Sequence, residues 1–401
     1  MSSNERFRRG RRPARVGRRP ATWLAGGAGL IAVLAGCSAG PIPASDISAT
    51  AVSVTTGACG GRWHLPRAGW HTFTIRDASS EAAEVDLINP ATGAIYAEVE
   101  ALGPDTSRPM PVDVGSGTYA FRCLLEDTDP ITGPSVRVGG HVPGAPAILP
   151  VTQNDLLTPA REYHAYVTAG LKVLAGQTRV LAAAIRAGQL GRARAAWLTA
   201  HLTYERLGAA YGTFGNFDTE IDTRADGLAG GPGDPDFTGF YRIEYGLWHG
   251  QSARQLAGPA DRLQHDVLAL QAAFPAMEID LLDLGLRTHE ILENALEFQL
   301  TGHDDYGSGT TLATTSANIT GSRELLTVLQ PVLVARYAGL PAVYTWLSRL
   351  QRLIDAQRQP DGRWTPVSAL TVRRRQQIDA AAGQALQDLA PIAVITEPRR
   401  T

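Results

Sequence analysis

Hydrophobic and polar residues alternate along one part of the chain and follow a helical spacing along another. The alternation is clearest in five segments, at residues 70–76, 84–88, 95–100, 110–114 and 118–123. A period of two places successive side chains on opposite faces of a strand, and turn-forming residues such as Gly115-Ser116-Gly117 separate the segments. About seven short strands in this region predict a small β-sandwich over residues 57–140.

Helix-forming residues dominate beyond a joint at residues 141–151 that is rich in glycine and proline. Thr158-Pro159 is a favourable helix start, and the apolar spacing continues to about Ile185. A second helix over about 191–211 follows so short a loop that it must run antiparallel to the first. Further helices are predicted at 261–300, 322–356 and 371–391. The expected fold class is α+β multidomain, with a larger all-α helical bundle at 152–398.

The first residues have the features of a secretion signal. Residues 6–19 are rich in arginine, and Trp23 to Leu34 form an apolar run too short to span a bilayer. Leu34-Ala35-Gly36-Cys37 then matches a lipobox, in which the cysteine receives a lipid. We therefore expect a signal peptide at 1–36, lipidation of Cys37 and a flexible tether at 37–56. The mature protein would be extracytoplasmic and anchored to the cell membrane, at the cell surface or in the periplasm, and the export route stays open.

The charge balance of the mature chain is acidic. The formal net charge of −2 includes eight arginines and one glutamate in residues 1–36, which leaves 29 basic and 38 acidic residues beyond them. Nucleic-acid binding relies on basic surface, so this balance argues against a nucleic-acid partner. An acidic surface suits a protein that handles cations.

Two cysteines, Cys59 and Cys123, remain after lipidation of Cys37. Outside the cytoplasm such a pair most often forms a disulfide. The strand that leads to Cys123 also resembles the last hairpin of cupredoxins, but a blue-copper site needs two histidines and usually a methionine. Three alternatives stay open for this pair. The cysteines form a disulfide, they are two free thiols, or they belong to a second metal site that includes Glu84 and Glu98 and binds copper.

Candidate ligands in the helical region occur at helical spacings. His201 and Glu205 are four residues apart and share one face, although a surface ion pair has the same spacing. Tyr241 and Glu244 fall on one face of an otherwise apolar stripe, where an unpaired carboxylate would be costly. An acidic loop at 217–222 and a row of glutamates that begins at Glu290 are also typical of solvated surfaces.

At these segments the chain resembles the EfeO family of imelysin-like proteins. The family's Gly-Phe-His-Arg-Ile-Glu segment corresponds to Gly239-Phe240-Tyr241-Arg242-Ile243-Glu244, with Tyr241 at the histidine position. The resemblance implies a cupredoxin-like domain followed by an imelysin-like domain, and an extracytoplasmic lipoprotein that binds ferrous or ferric iron. It also implies two partners, a membrane iron permease and a haem-peroxidase-like protein of the same uptake system.

The resemblance also implies a set of metal ligands rather than catalytic residues. These are His201, Glu205, Asp222, Tyr241 and Glu244, with Glu290 as an additional ligand. Tyrosine is a poor ligand for zinc and, as phenolate, a good one for ferric iron. No His-Glu-Xaa-Xaa-His segment of a zinc hydrolase occurs. We expect a protein that is not an enzyme; the alternatives are a metal-dependent surface enzyme, peptidase-like or processing iron chelates, and a polysaccharide-binding or adhesion module.

Overall fold

The β region consists of two sheets that share one apolar core. The computed structural model describes residues 50–65, 67–126 and 128–400, so the predicted signal peptide and Cys37 lie outside the described residues. The strands are β1 Thr50–Thr55, β2 Ala58–Cys59, β3 Gly69–Asp77, β4 Ala83–Ile88, β5 Ile95–Leu102, β6 Ser107–Val114, β7 Gly117–Leu125, β8 Ile131–Thr132 and β9 Val136–Val138. One sheet has the order β2-β1-β3-β6, and the other has the order β5-β4-β7-β8 with β9 paired to β7. Val54, Phe73 and Phe121, from both sheets, belong to one buried cluster, and the predicted β region is confirmed.

The first strand corrects the predicted tether. β1 lies inside the segment 37–56, pairs in parallel with β3 and buries both Val52 and Val54 completely. Two valines two residues apart are a weak signal in a stretch of Ser, Ala and Thr. The strand is stabilised by its neighbours β2 and β3 rather than by its own composition, which is why the sequence alone did not reveal it.

The cysteine pair forms a disulfide. Cys59 on β2 and Cys123 on β7 are bonded, with their Cα atoms 5.6 Å apart, and both are buried in the core of the two sheets. The bond uses both sulfur atoms, so the alternatives of two free thiols and of a thiolate site for copper are wrong. The candidate carboxylates lie elsewhere: Glu98 pairs with Arg399, and burial, followed by the charges of Asp86 and Glu100, raises the pKa of Glu84.

The helical region follows and confirms the predicted bundle. Its helices are α1 Gln153–Arg186, α2 Leu190–Glu205, α3 Tyr211–Phe214, α4 Asn216–Asp222, α5 Gly239–Trp248, α6 Ala253–Ala273, α7 Leu281–Asn294, α8 Thr311–Leu333, α9 Leu340–Asp355 and α10 Val372–Ile395. A π-helical turn, Ala295–Gln299, extends α7. Among the described residues, no helix is both long enough and apolar enough to cross a membrane.

Two local features differ from the sequence prediction. α1 begins at Gln153 rather than near Pro159, because Thr152 caps it and exchanges hydrogen bonds with Asp155 in a capping box. The acidic segment expected to be a loop is the helix α4, which buries Ile221 against the core. A capping box in the first case and burial against the core in the second outweigh the local signal on which the prediction relied.

The joint between the two regions packs along the β-sandwich. Ala145 N donates a hydrogen bond to the carbonyl oxygen of Asp113 at 2.9 Å, and Ile148 pairs with Ile95. The C-terminal end also contacts the β region through Arg399 and Glu98. Both ends of the helical region are therefore held against the sandwich.

Candidate metal site

Two carboxylate side chains and one imidazole meet where α2 and α4 come together. His201 and Glu205 lie one turn apart on α2, and Asp222 is the last residue of α4. Nε2 of His201 lies 2.9 Å from Oε1 of Glu205 and 3.8 Å from Oδ1 of Asp222. One ligand atom from each of the three residues lies within 4.8 Å of the others. Within residues 50–65, 67–126 and 128–400, this is the only group of three or more His, Cys, Asp or Glu side chains with such a spacing. This spacing suits a single bound cation.

Aromatic rings hold His201 in place. Its ring stacks on Trp197 with centroids 4.9 Å apart and also contacts Phe240 and Tyr241, at 5.3 and 5.4 Å. Trp197 Nε1 donates a hydrogen bond to the carbonyl oxygen of Phe240 at 2.9 Å, which ties α2 to α5. Neither ring nitrogen of His201 has a hydrogen-bond partner of good geometry, although the side chain is buried. The imidazole is oriented by packing and remains available for coordination.

A close contact between backbones brings α5 to the same place. Gly239 opens α5 with φ of 75°, and a Cβ atom there would overlap with the carbonyl oxygen of Ile221. Thr238 Oγ1 donates to the carbonyl oxygen of Glu220 at 2.9 Å and reinforces the junction. Only glycine allows both the positive φ and this approach, so Gly239 positions Tyr241 beside the end of α4.

Asn318 on α8 orients the second oxygen of Glu205. Its Nδ2 donates to Glu205 Oε2 at 2.9 Å, and its own Oδ1 is buried without a hydrogen-bond partner. The sequence analysis did not identify Asn318, because one asparagine within a helix has no spacing to distinguish it. The structure therefore adds a residue that orients the carboxylate of Glu205, and a second oxygen atom that can face a cation.

Tyr241 contacts a carboxylate that the sequence analysis also missed. Its hydroxyl donates to Asp304 Oδ2 at 2.9 Å, and Gln299 Nε2 donates to the same oxygen at 2.5 Å. Gln299 ends the π-helical turn, a feature that often occurs at functional sites. Asp304 is only 3% exposed, and its Oδ1 has no partner. The only sequence signal was its place in a Gly-rich loop of acidic residues.

The other two predicted ligands have different surroundings. Glu244 is buried on α5, and its Oε1 accepts a hydrogen bond from the backbone N of Ser308 at 3.0 Å. Burial raises the pKa of Glu244 to about 7, and hydrogen bonds from Ser308 oppose the rise. Glu290 lies outside the cluster: it pairs with Arg287 at 2.7 Å and is part of a more exposed ion pair.

Burial and the repulsion between neighbouring carboxylates raise the affinity of the metal-free site for protons. Burial, followed by the charges of Glu205 and Asp218, raises the pKa of Asp222 well above its ordinary value. Burial opposes protonation of His201, but the carboxylate of Glu205 outweighs it and raises the pKa of His201. Burial also raises the pKa of Tyr241 well above 10 and that of Asp304 above its ordinary range. A cation that enters must displace protons, which it can do because it relieves the same repulsion.

A polar cavity of about 290 Å³ adjoins the cluster. Its lining combines carboxylates with arginine and amide side chains: Glu205, Asp218, Asp222, Arg224, Arg287, Asn294, Gln299 and Asn318. The arrangement offers one imidazole and several oxygen atoms, a set that suits iron or manganese better than copper or zinc. The site can bind a hard cation, and it presents no nucleophile with an adjacent base.

Comparison with known proteins places these residues in a family. The family described as Imelysin (Peptidase_M75) matches residues 159–390. A protein of Escherichia coli O1:K1 / APEC named "Iron uptake system component EfeO" is 29% identical over 299 residues, covering 72% of this chain and 76% of the relative. A protein of the same name from Yersinia pestis is 26% identical over 291 residues, with the same coverage. All the helices that carry the cluster lie within the family match.

Proposed function

This chain belongs to the imelysin family and is EfeO-like, and we propose that it is a lipid-anchored extracytoplasmic protein that binds iron and passes it to a membrane iron permease. The relatives' printed name, "Iron uptake system component EfeO", supports a role in iron uptake. The permease and the haem-peroxidase-like partner are predictions from the family resemblance.

The observation that carries the proposal is the cluster of His201, Glu205 and Asp222. Their ligand atoms lie within 4.8 Å of one another, and the side chains of His201 and Glu205 are 2% and 4% exposed. Burying carboxylates side by side is costly unless a cation compensates them. A passive helical bundle would gain stability by replacing such residues with apolar ones, so their presence supports a binding function.

The surrounding oxygen atoms support iron as the cation. Tyr241 and Glu244 are proposed to complete the coordination: both are buried on α5, the ring of Tyr241 lies 5.4 Å from that of His201, and burial raises the pKa of Glu244 while the charge of His201 lowers it. Carboxylate and phenolate oxygens are hard ligands, and phenolate in particular favours ferric iron. The peptidase alternative has less support, because the cluster contains a single imidazole and the family resemblance places Tyr241 at a histidine position.

Titration of the purified, unlipidated protein with ferrous and with ferric iron, followed by calorimetry, tests the proposal. We expect one tight site per chain, and at least tenfold weaker binding, or about 1.4 kcal/mol, in Glu205→Ala and in Glu244→Ala. Glu293→Ala is the matched control, because this carboxylate of α7 is 58% exposed and faces His289 at 3.6 Å. Unchanged iron affinity in Glu205→Ala and Glu244→Ala would place the site elsewhere in the protein.

The anchor has its own test, which uses the cellular protein. Cys37 lies outside the described residues, and its lipidation rests on the segment Leu34-Ala35-Gly36-Cys37. Mass spectrometry of the mature N-terminus should find a lipid on Cys37, and a Cys37→Ser variant should leave the membrane fraction. A variant that stays in the membrane and is cleaved at the same place would contradict the lipoprotein proposal.

A further inference from the structure

An arginine lies inside the acidic cavity without an ion pair. Arg224 follows α4 and lines the cavity together with Glu205 and Asp222. Its guanidinium carbon lies 3.8 Å from the ring centroid of Phe298, and its Nε is buried without a partner. Within the described ranges, no carboxylate oxygen lies within 4.0 Å of this guanidinium. Stacking on the ring, rather than a salt bridge, holds the positive charge in place.

The position of Arg224 shows that it belongs to the same site. It lies two residues beyond Asp222 and lines the same cavity as Glu205 and Asp222. An arginine keeps its charge under all ordinary conditions. The metal site therefore contains a fixed positive charge that faces the same carboxylates as the incoming ion.

That fixed charge conflicts with a bare iron ion. Two positive charges in a buried, weakly screened site repel each other, and the repulsion grows with the charge of the metal. A site selected only for cation affinity would have no guanidinium here. An anion between the metal and Arg224 would turn the repulsion into two attractions.

The cavity has room for such an anion. Its volume of about 290 Å³ corresponds to roughly ten water molecules at their share of liquid volume, whereas an iron ion with its ligand atoms needs much less. Arg287, whose position is fixed by Glu290 at 2.7 Å, and the amide of Asn294 also line the cavity. These groups add hydrogen-bond donors, which a cation cannot use.

We propose that the cavity binds iron together with a small carboxylate- or carbonate-type oxyanion, held by Arg224 and coordinated to the metal. The inference rests on the proposed iron site. A planar guanidinium donates two parallel hydrogen bonds to a carboxylate or a carbonate, and the remaining oxygens of the anion can bind the ion. The anion occupies coordination positions that the side chains leave open.

Native mass spectrometry of the purified protein distinguishes the sources of the anion. The protein is loaded with iron in carbonate-free buffer, with bicarbonate, or with citrate. We expect the masses of iron and one oxyanion to appear together, with little of the anion bound when iron is absent. Carbonate in the complex would identify a freely available anion, and citrate would identify an iron chelate. A wild-type complex that contains iron alone in all three buffers overturns the inference and leaves the proposed function standing.

Two variants of Arg224 test its part in the complex. In Arg224→Gln we expect iron without the anion, and an iron affinity at least tenfold weaker than wild type when bicarbonate or citrate is present. Arg224→Lys keeps the charge but not the two parallel donors, so it should retain part of the anion dependence. The matched control is Arg349→Gln, which removes an exposed arginine that stacks on Trp346 at 4.7 Å.

The outcomes separate the two proposals. If Arg224→Gln binds iron more tightly than wild type with no anion in either complex, Arg224 acts only as a repulsive charge and the inference is wrong. Retention of the ternary complex in Arg224→Gln would also overturn it. Absence of iron binding by the wild-type protein in every buffer would contradict the proposed function itself, and the inference with it. Circular dichroism melts of each variant verify that the helical fold is intact.

Discussion

The hydroxyl of Tyr241 donates a hydrogen bond to Oδ2 of Asp304 across 2.9 Å. This pair joins α5 to a carboxylate from the loop between the π-helical turn and α8. Because burial holds the pKa of Tyr241 well above 10, the phenol keeps its proton in the metal-free protein. Coordination of ferric iron must displace that proton, and Asp304 is the adjacent acceptor.

We predict that the ferric complex has a visible charge-transfer band that depends on Tyr241. A phenolate bound to ferric iron produces such a band, and the ferrous complex should lack it. Tyr241→Phe should abolish the band without unfolding the protein, as judged by absorption spectra and thermal melts. Tyr306→Phe is the control, because its ring lies 5.3 Å from Tyr241 but its hydroxyl accepts a hydrogen bond from Ala225 N. A full band in Tyr241→Phe would mean that another group binds the ion.

Asn318 should influence iron binding through Glu205. Asn318→Ala removes a hydrogen bond to a buried carboxylate, an interaction worth about 1.5–3 kcal/mol, and allows the ligand to rotate. We expect iron affinity to fall about tenfold in calorimetry. Thr320→Ala changes an exposed residue of the same helix and should bind iron like wild type. Equal affinities in the two variants would show that Glu205 does not need Asn318 for its position.

The stability of the metal-free protein should fall as pH rises from about 4.5 to about 7. The pKa of Glu244 is raised from 4.5 to about 7 by burial, so in this range the folded protein binds more protons than the unfolded chain. The free energy of unfolding then decreases with pH, by about 3 kcal/mol from this group. Asp222, Asp304 and His201 also have raised pKa values, which act with the same sign.

Urea unfolding of the metal-free protein at several pH values measures this dependence. Glu244→Gln cannot ionise, so its stability should depend less steeply on pH than that of wild type. Saturating iron should reverse the trend, because the ion binds the deprotonated site. If the free energy of unfolding depends on pH in the same way in wild type and in Glu244→Gln, ionisation of Glu244 does not destabilise the folded protein.

Reduction of the disulfide should weaken the β-sandwich and leave the iron site intact. The Cys59–Cys123 bond closes a loop with a sequence separation of 64, for which loop-closure entropy predicts roughly 4 kcal/mol of stabilisation. A Cys59→Ala, Cys123→Ala variant should therefore melt at a lower temperature while it binds iron with wild-type affinity. A large loss of bound iron in this variant would point to a metal site in the β region.

Local patterns determined most of the elements. Alternation predicted the central strands, and the stripe of Phe240, Ile243 and Leu247 predicted α5 because a helix repeats its buried face every three to four residues. The spacing of His201 and Glu205 placed both on one face, since residues four apart on a helix are neighbours. The valines of β1 and the helix α4 were not evident, because pairing with neighbours and burial against the core stabilise them rather than their own sequence.

Only the tertiary structure decided which of the candidate residues meet. Glu205 and Glu290 both lie on helices at favourable spacings, yet Glu205 lies against His201 while Glu290 pairs with Arg287. Asp304 and Asn318 join the site from loops and helices that are about a hundred residues away from α2 in sequence. A sequence pattern indicates which face of a helix a side chain occupies. The packing of the helices determines what that face contacts, and the ligand set of a metal site depends on those contacts.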